Sequence, residues 1–511
     1  MDRYHATFVY ISVHPIVVHD AGRRSWFTYL GHATGNLWSR QSTNSRRKTL
    51  GWVRACNRMF YYLVTLMYYY YYYNRAWTAN TSFGTPLQAA EPMIVDLGSV
   101  TIMVPNRIID TPSECPEVSS DSSRASNYSL TGSSSGRLVP FATETCFENP
   151  TSFQQPVTNF SCYMDIAFAD REFGGIMVSD IMSAGGQNVS VNFGMPVQAF
   201  TCGKAGERIL GMNQGKSSFI SQMYRNGYID EKIVGFCGSR DIPGAFMQLG
   251  SDMLSRMDTS SFSLYDGTGL AALTDGYKND TTFAERAKNI STSAVEKEHY
   301  YAVLDSVQIG NDTFGGEQGQ YIAMIDSGWT NLGLPLPMIQ SITSYINQSL
   351  IDNGMDDDVD FLVSLEQPFP QGCIRYNATQ YPDPVKLANL VYPTIGISMG
   401  ENGAYMPINL TETAAFYGQS GGLDQICANV ELVDGQNIML GTPFFLDRYV
   451  QLNIDQGMGY FSNVTDCSDI STTLSRIPEN TSSPPPENTS CAIPTTTVSL
   501  LLLLLVSFYM V

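Results

Sequence analysis

The residues best placed to do chemistry are two aspartates in matching surroundings, Ile94-Val95-Asp96-Leu97-Gly98-Ser99 and Met324-Ile325-Asp326-Ser327-Gly328-Trp329. Each stretch reads apolar-apolar-Asp-x-Gly, and each meets a proline nine residues after its aspartate, Pro105 and Pro335. One Asp-x-Gly alone is a common turn signature, because both residues suit tight turns. The pair carries more, because Gly211 of Ile209-Leu210-Gly211 and Gly441 of Met439-Leu440-Gly441 each lie 115 residues past their aspartate. Three landmarks recurring at one offset of 230 residues mark a duplicated unit. Two units, each offering a carboxylate at a strand-to-turn boundary, imply a two-fold site. Like charge at close range raises one pKa, so such a pair holds one proton between its members. One member then acts as base towards a water and the other as acid towards a carbonyl. That chemistry cleaves an amide with no metal, no cofactor and no covalent intermediate.

The frame that must position these aspartates reads as short strands from about Trp77 onward, with frequent Gly- and Ser-rich breaks and few long helical periods. Ser119 to Gly136 is a Ser-rich polar insertion, expected as a surface loop. Phe219, Ile220, Met223 and Tyr224 fall on one face of a helix with Gly227 as its stop, and a second helix runs from Pro337 through Ile339, Ile342 and Ile346. Thr268 to Lys297 is polar and reads as irregular, near the junction of the two halves.

These residues resemble the pepsin-like aspartic proteases over most of the chain, from about Trp77 to about Asn463. Thr81-Ser82-Phe83-Gly84-Thr85-Pro86-Leu87-Gln88 is similar to that family's opening strand and Gly-Thr-Pro-x-Gln turn, and Ile438-Met439-Leu440-Gly441-Thr442-Pro443-Phe444-Phe445 to its closing Leu-Gly-x-x-Phe segment. The resemblance implies an all-β, two-lobed acid protease fold with an internal pseudo-two-fold repeat, lobes over 76–260 and 261–464, and Asp96 with Asp326 as the catalytic pair. It implies that Gly98 and Gly328 let the backbone approach the carboxylates and that Ser99 hydrogen-bonds the outer oxygen of Asp96. Ser327 then supplies one half of a hydroxyl grip between the lobes, and Cys373 pairs with Cys427. An extended polypeptide would lie under a hairpin flap carrying Phe168 and Asp170, bound by a monomer without cofactor. Three positions depart from the family's pattern. Leu97 stands where the other half of the grip is expected, Trp329 where a hydroxyl supports the second aspartate, and Phe168 where the flap carries tyrosine. The alternative is a pepsin-like peptide-binding protein of the cell surface with weak or no turnover. Glycoside hydrolysis by two carboxylates explains neither the repeat nor the two Gly-Thr-Pro segments.

Composition narrows the classes further. A net charge of −19 excludes a nucleic-acid partner, which needs clustered Lys and Arg. Four of the five histidines lie in the first 32 residues, leaving His299 alone in the body, so histidine-based nucleophile or metal chemistry has little to build on. Ten cysteines, eight of them between Cys115 and Cys467, together with thirteen Asn-x-Ser/Thr sequons point to the secretory pathway and an extracellular or cell-surface destination. Residues 1–58 form a basic extension unlike the rest. A basic flank and the apolar run Met59 to Met67 read as a secretory signal within 59–75, or else as a buried first strand. Residues 465–490 form a Pro/Ser/Thr-rich stalk in which Pro-Glu-Asn-Thr-Ser occurs twice. The apolar tail in 491–511 is shorter than a bilayer span and reads as a GPI-attachment signal or a retained membrane anchor.

Overall fold

The computed structural model describes residues 62–70, 75–105, 128–140, 162–168, 171–185, 187–199, 208–238, 245–250, 259–275, 280–293, 296–316, 320–355, 359–362, 372–399, 404–413, 415–418, 423–433, 437–463 and 467. All belong to one compact unit, Val9–Ser468; the other unit, Met1–Phe8 with Asp469–Val511, falls outside the described residues. The extension at 1–58, the stalk beyond Cys467 and the apolar tail therefore also lie outside them.

The first aspartate ends a strand, Glu91–Asp96, whose side chains alternate between buried (Met93, Val95) and half-buried (Ile94), the period-two pattern of a pleated strand. It pairs in parallel with Ile209–Gly211, in the register Ile94↔Ile209 to Asp96↔Gly211. In the second half Tyr321–Ile325 pairs in parallel with Asn437–Leu440, from Ile322↔Asn437 to Ile325↔Leu440. Partners in both ladders are 115 residues apart, so the spacing legible in the sequence is a strand register.

Around the first pair lies a 13-stranded sheet. One path through it runs Ser260–Ser263, Met458–Asn463, Arg448–Asn453, Ile233–Gly238, Phe246–Leu249, Tyr62–Tyr70, Arg75–Phe83, Glu91–Asp96 and Ile209–Gly211. Strands from the far end of the chain thus complete the sheet of its first half. Tyr62–Tyr70 lies within the 59–75 segment and forms the strand that is the other reading of that run, its first four residues paired with Phe246–Leu249 and its last five with Arg75–Phe83. A long hairpin, Arg171–Ala184 with Gln187–Ala199, branches from Arg75–Phe83 and also pairs with Tyr163–Phe168. The second pair sits in an 8-stranded sheet, and a 4-stranded sheet covers 359–428 in part. Buried side chains from both halves form one core, in which Trp77 meets Phe236 edge-on at 5.5 Å and Phe236 meets Phe445 at 4.9 Å.

Helices are few. Phe219–Arg225 forms with Ser218 as its N-cap, and Gly227, at φ +71°, follows where the helical path ends. Leu336–Asp352 starts behind Pro335 and buries Met338, Ile339, Ile342, Ile346 and Leu350 along one stripe. The stretch expected as irregular, Thr268 to Lys297, instead holds two helices, Gly267–Ala272 and Thr281–Thr292. Asp266 and Asp280 cap them, accepting from Gly269 N–H at 2.6 Å and Phe283 N–H at 2.9 Å. Phe283, Ala287 and Ile290 form the apolar stripe of the longer one and pack with Tyr301 and Ile322. The described end of the Ser119–Gly136 insertion is likewise not a free loop. Gln88 brackets Ser129 by accepting its N–H at 2.7 Å and donating to its carbonyl at 2.9 Å, and buried Tyr128 donates to Asp180 at 3.0 Å.

Two disulfides join described residues. Cys373–Cys427, the pair implied by the resemblance, bridges facing positions of Gly372–Asn377 and Leu423–Ala428. Cys237–Cys467 closes a separation of 230 residues and ties the chain beyond the last strand to the first half. Replacing both Cys237 and Cys467 by serine is expected to lower stability by about 2–5 kcal/mol, read as a fall in the denaturant midpoint; an unchanged midpoint would show that the fold does not depend on the tie.

Candidate active site

Asp96 is the last residue of its strand and Asp326 the first after its own. Beyond each the chain turns back on itself: Ser99 N–H donates to the Asp96 carbonyl at 3.4 Å and Trp329 N–H to the Asp326 carbonyl at 3.2 Å. The glycines two residues on let these turns close over the carboxylates. Gly98 N–H donates to Asp96 Oδ1 at 2.8 Å, and Gly328 N–H donates to Asp326 Oδ1 at 2.8 Å. Gly98 N–H also reaches Asp326 Oδ1 at 3.1 Å, so one amide serves both carboxylates. A Cβ on Gly98 would stand 2.7 Å from the Asp326 carboxyl carbon, and one on Gly328 2.5 Å from that of Asp96. Each turn therefore needs its glycine because of the aspartate on the opposite turn.

Beneath the carboxylates the Ser327 hydroxyl, fully buried, accepts from Leu97 N–H at 3.2 Å and donates to the Val95 carbonyl at 2.7 Å. The Leu97 side chain enters the apolar core, so this hydroxyl link runs from the second half to the first and is not returned. Above, the Ser99 hydroxyl donates to Asp96 Oδ2. At the matching position of the other turn Trp329 offers no hydroxyl. Its indole N–H meets no acceptor among the described residues, while its carbonyl accepts from Thr442 N–H at 2.7 Å and from the Thr442 hydroxyl at 3.2 Å.

Burial drives the Asp326 carboxyl well above the ordinary carboxylate range, and the charge of Asp96 with the hydrogen bond between the two side chains pushes it the same way. The N–H groups of Gly328 and Gly98 oppose that shift without cancelling it. Asp326 is thus the member of the pair whose charged form the site disfavours.

The sequence set His299 aside for want of a nucleophile, yet the fold brings it to this site. Only 8% of its surface is exposed. Burial pushes its pKa down to about 4, against the opposing pull of the Asp96 charge and the Gly98 carbonyl. Neither ring nitrogen makes a full hydrogen bond to any described residue. Its backbone is held under the turn after Ile209–Gly211, where Gln214 Nε2 donates to the His299 carbonyl at 3.0 Å and Gln214 N–H to the Glu298 carbonyl at 2.9 Å. No spacing in the sequence links residue 299 to residue 96; the Asp96 charge bears on His299 only through the long-range fold. Phe168 ends the strand Tyr163–Phe168 opposite Arg171, at the neck of a two-residue connection, and Asp170 within that connection lies outside the described residues.

No family model and no curated protein matches this chain. Among solved structures, that of basic 7S globulin from soybean is similar over 80% of this chain and 99% of its own, at 16% identity and a TM-score of 0.53. The structure of edgp is similar over 80% of this chain and 97% of its own, at 16% identity and a TM-score of 0.54. The fold is that of the pepsin-like aspartic proteases. Neither relative is named as a peptidase, so the likeness carries the pepsin-like fold and not an activity.

Two stability measurements follow from the site. Ser327→Ala leaves Val95 O and Leu97 N–H without their buried partner and is expected to cost about 1–3 kcal/mol in chemical denaturation. The second concerns Asp326, whose carboxyl is higher in the fold than its ordinary 3.8. The fold is therefore favoured below that value and loses stability as pH rises through the raised one. Asp326→Asn, uncharged throughout, should melt above the parent at neutral pH, with the difference vanishing in acid below 3.8. Equal melting at neutral pH would remove burial of this charge as a feature of the site.

Proposed function

We propose that the chain is an aspartic-type endopeptidase acting on extended polypeptides. The supporting observation is the Asp96–Asp326 pair, two carboxylates facing each other, sharing the Gly98 N–H, with one of them raised by burial and by its partner. Asp326 holds the shared proton and Asp96 is the base. The water between them gives a proton to Asp96 as its oxygen attacks the peptide carbonyl carbon, and Asp326 gives its proton to the carbonyl oxygen. An extended segment would lie across the cleft with strand-like backbone hydrogen bonds under the hairpin that ends at Phe168. The two disulfides suit an oxidising, extracellular route; attachment to the cell surface through the apolar tail completes the proposal.

A second reading, a peptide-binding protein without turnover, is favoured by Leu97 and Trp329, which remove one hydroxyl from each half of the site. Looser carboxylates lose rate steeply, since misplacement by about 1 Å can cost 10²-fold. The two readings separate in one experiment. The full chain, secreted from a eukaryotic host, is assayed on an unfolded protein from about pH 3 to neutrality, the range where such a pair titrates. Asp96→Asn and Asp326→Asn are each expected to lower cleavage by about 10²–10⁴-fold. A folded parent that cleaves nothing at any pH, yet binds a peptide mimicking the tetrahedral intermediate, would replace the endopeptidase with the binding protein.

A further inference from the structure

Among the Asn-x-Ser/Thr sequons, which the proposed reaction leaves unexplained, two meet at one helix. Asn347-Gln348-Ser349 lies on Leu336–Asp352, and Asn311-Asp312-Thr313 starts in the turn between Tyr300–Ile309 and Asp312–Gly315, where Ile309 faces Asp312. Both asparagines are exposed. The helix buries one stripe in the core, yet beyond its first turn it also leaves two large apolar side chains in water, Tyr345 at 38% exposure and Ile351 at 55%. Single exposed apolar side chains are ordinary; what surrounds these two is not. A helix at a protein surface normally turns charged residues outward, but of the 17 residues in this one only Asp352 is charged.

Each exposed side chain has its own sequon for a neighbour. Asn347 and Ile351 are one i,i+4 step apart, adjacent on the outer face of the helix. Tyr345 lies on the flank, one such step after Ser341, whose hydroxyl donates to Asp312 Oδ2 at 2.7 Å and so fastens the turn to the helix. The Tyr345 ring covers that turn, for a Cβ on Gly310 would stand 2.6 Å from its Cδ2. Asn311 is thus held between Gly310, against Tyr345, and Asp312, bonded to Ser341. The sequon at Asn409 is built differently. Its asparagine is half-buried, the Oδ1 accepts from Thr411 N–H at 3.0 Å, and Thr411 is buried.

We propose that Asn311 and Asn347 carry N-linked glycans, and that the inner sugars cover Tyr345 and Ile351. The donor is an oligosaccharide joined through a diphosphate to a polyprenol lipid, met in the secretory pathway while the chain is being made. The asparagine Nδ2 attacks the anomeric carbon of the first sugar, an N-acetylhexosamine. The new N–C bond forms as the bond from that carbon to the diphosphate oxygen breaks; the amide gives up one proton, the lipid diphosphate leaves, and nothing is oxidised or reduced. The proposal rests on the extracellular route of the reading above and not on turnover at Asp96 and Asp326.

The chemistry of a sugar suits the place. A pyranose ring has an apolar C–H face and a rim of hydroxyls. The face settles on the Tyr345 ring or the Ile351 side chain and takes apolar area out of water, while the rim keeps its own hydration. A glycan thereby supplies the solvation that charged side chains give other surface helices, and it excludes a protein partner from the same face. The two disulfides are formed by the same oxidising compartment in which the sugar is transferred.

The test uses the full chain secreted from a eukaryotic host. Its peptides are mapped by mass spectrometry before and after peptide-N-glycosidase, which leaves an aspartate wherever a glycan stood. Positions 311 and 347 are expected to read as aspartate only after that treatment. Thr313→Ala and Ser349→Ala each break one sequon but keep its asparagine, and each should remove the mass of one glycan; Asn311→Gln and Asn347→Gln replace them should either fail to fold. The chain with both sequons broken should bind more anilinonaphthalene sulfonate and sediment as larger species, and adding Tyr345→Ser with Ile351→Ser should reverse both changes. Unmodified Asn311 or Asn347 in a chain whose Cys237–Cys467 bridge has formed overturns the proposal, and self-association of that unmodified chain would make the helix an interface between copies instead. Unmodified asparagines with both thiols free overturn the extracellular route as well. Glycans whose loss changes neither dye binding nor sedimentation overturn the cover. A glycosylated chain that cleaves nothing overturns the endopeptidase alone.

Discussion

A single amide, the N–H of Gly98, is donated to Asp96 and Asp326 together, and the rest of the structure is arranged to make that possible. Two carboxylates cannot share an amide unless two turns from distant parts of the chain come within van der Waals contact. That contact leaves no room for a side chain at either glycine. The turns are in turn held by two short parallel ladders of the same register, each of which requires a long excursion of chain to return in the same direction. The excursions supply the sheets, and the sheets supply the core in which Trp77, Phe236 and Phe445 meet. Fold and site are one problem here: the carboxylates are close because the ladders are parallel, and the ladders are parallel because the excursions are long enough to pack.

The two turns are not copies in their polar equipment. The first keeps the upper hydroxyl, Ser99, and has lost the lower one to Leu97; the second keeps the lower hydroxyl, Ser327, and has lost the upper one to Trp329. Only the Ser327 hydroxyl crosses between the halves; Ser99 serves the carboxylate of its own turn. The first carboxylate accepts from a serine and a glycine amide, whereas the second relies on backbone amides in a more buried position. An exact two-fold axis would make the two carboxyls interchangeable; here burial, with the charge of Asp96, raises the Asp326 carboxyl. The Trp329 indole N–H and both His299 ring nitrogens are buried and have no hydrogen-bond partner among the described residues.

Much of this was legible in the sequence because it is written in register and in turn chemistry. The 115-residue spacing is a ladder, Asp-x-Gly is a turn under a carboxylate, and Ser99 and Ser327 bond as the family resemblance implies. What escaped is long-range or buried under polar composition. The helix Thr281–Thr292 buries only three apolar residues in a polar run, and its stripe becomes evident against Tyr301 and Ile322, which lie further along the chain. Its N-cap, Asp280, was a readable signal that polarity hid. The pinning of Ser129 by Gln88 joins residues 41 apart with no pattern between them. His299 comes under the influence of the Asp96 charge only through long-range packing, and no local rule assigns a lone histidine before a strand to a site two hundred residues earlier.

The route of the chain through the large sheet has a consequence for its biosynthesis. Ile233–Gly238 is bonded on one side to Phe246–Leu249, but its other neighbour, Arg448–Asn453, is made some 215 residues later. At ribosomal speeds that is a wait of about 10–40 s. Throughout it the nascent first half presents a bare strand edge of buried-type residues, with the Phe236 ring lacking Phe445 and the Cys237 thiol lacking Cys467. An unpaired edge is an invitation to the nearest strand of any chain. The newborn protein is thus most vulnerable when half made, and the two strands within 448–463, with Cys467, act as a closing seam, so that truncation ahead of them threatens the half of the molecule translated first.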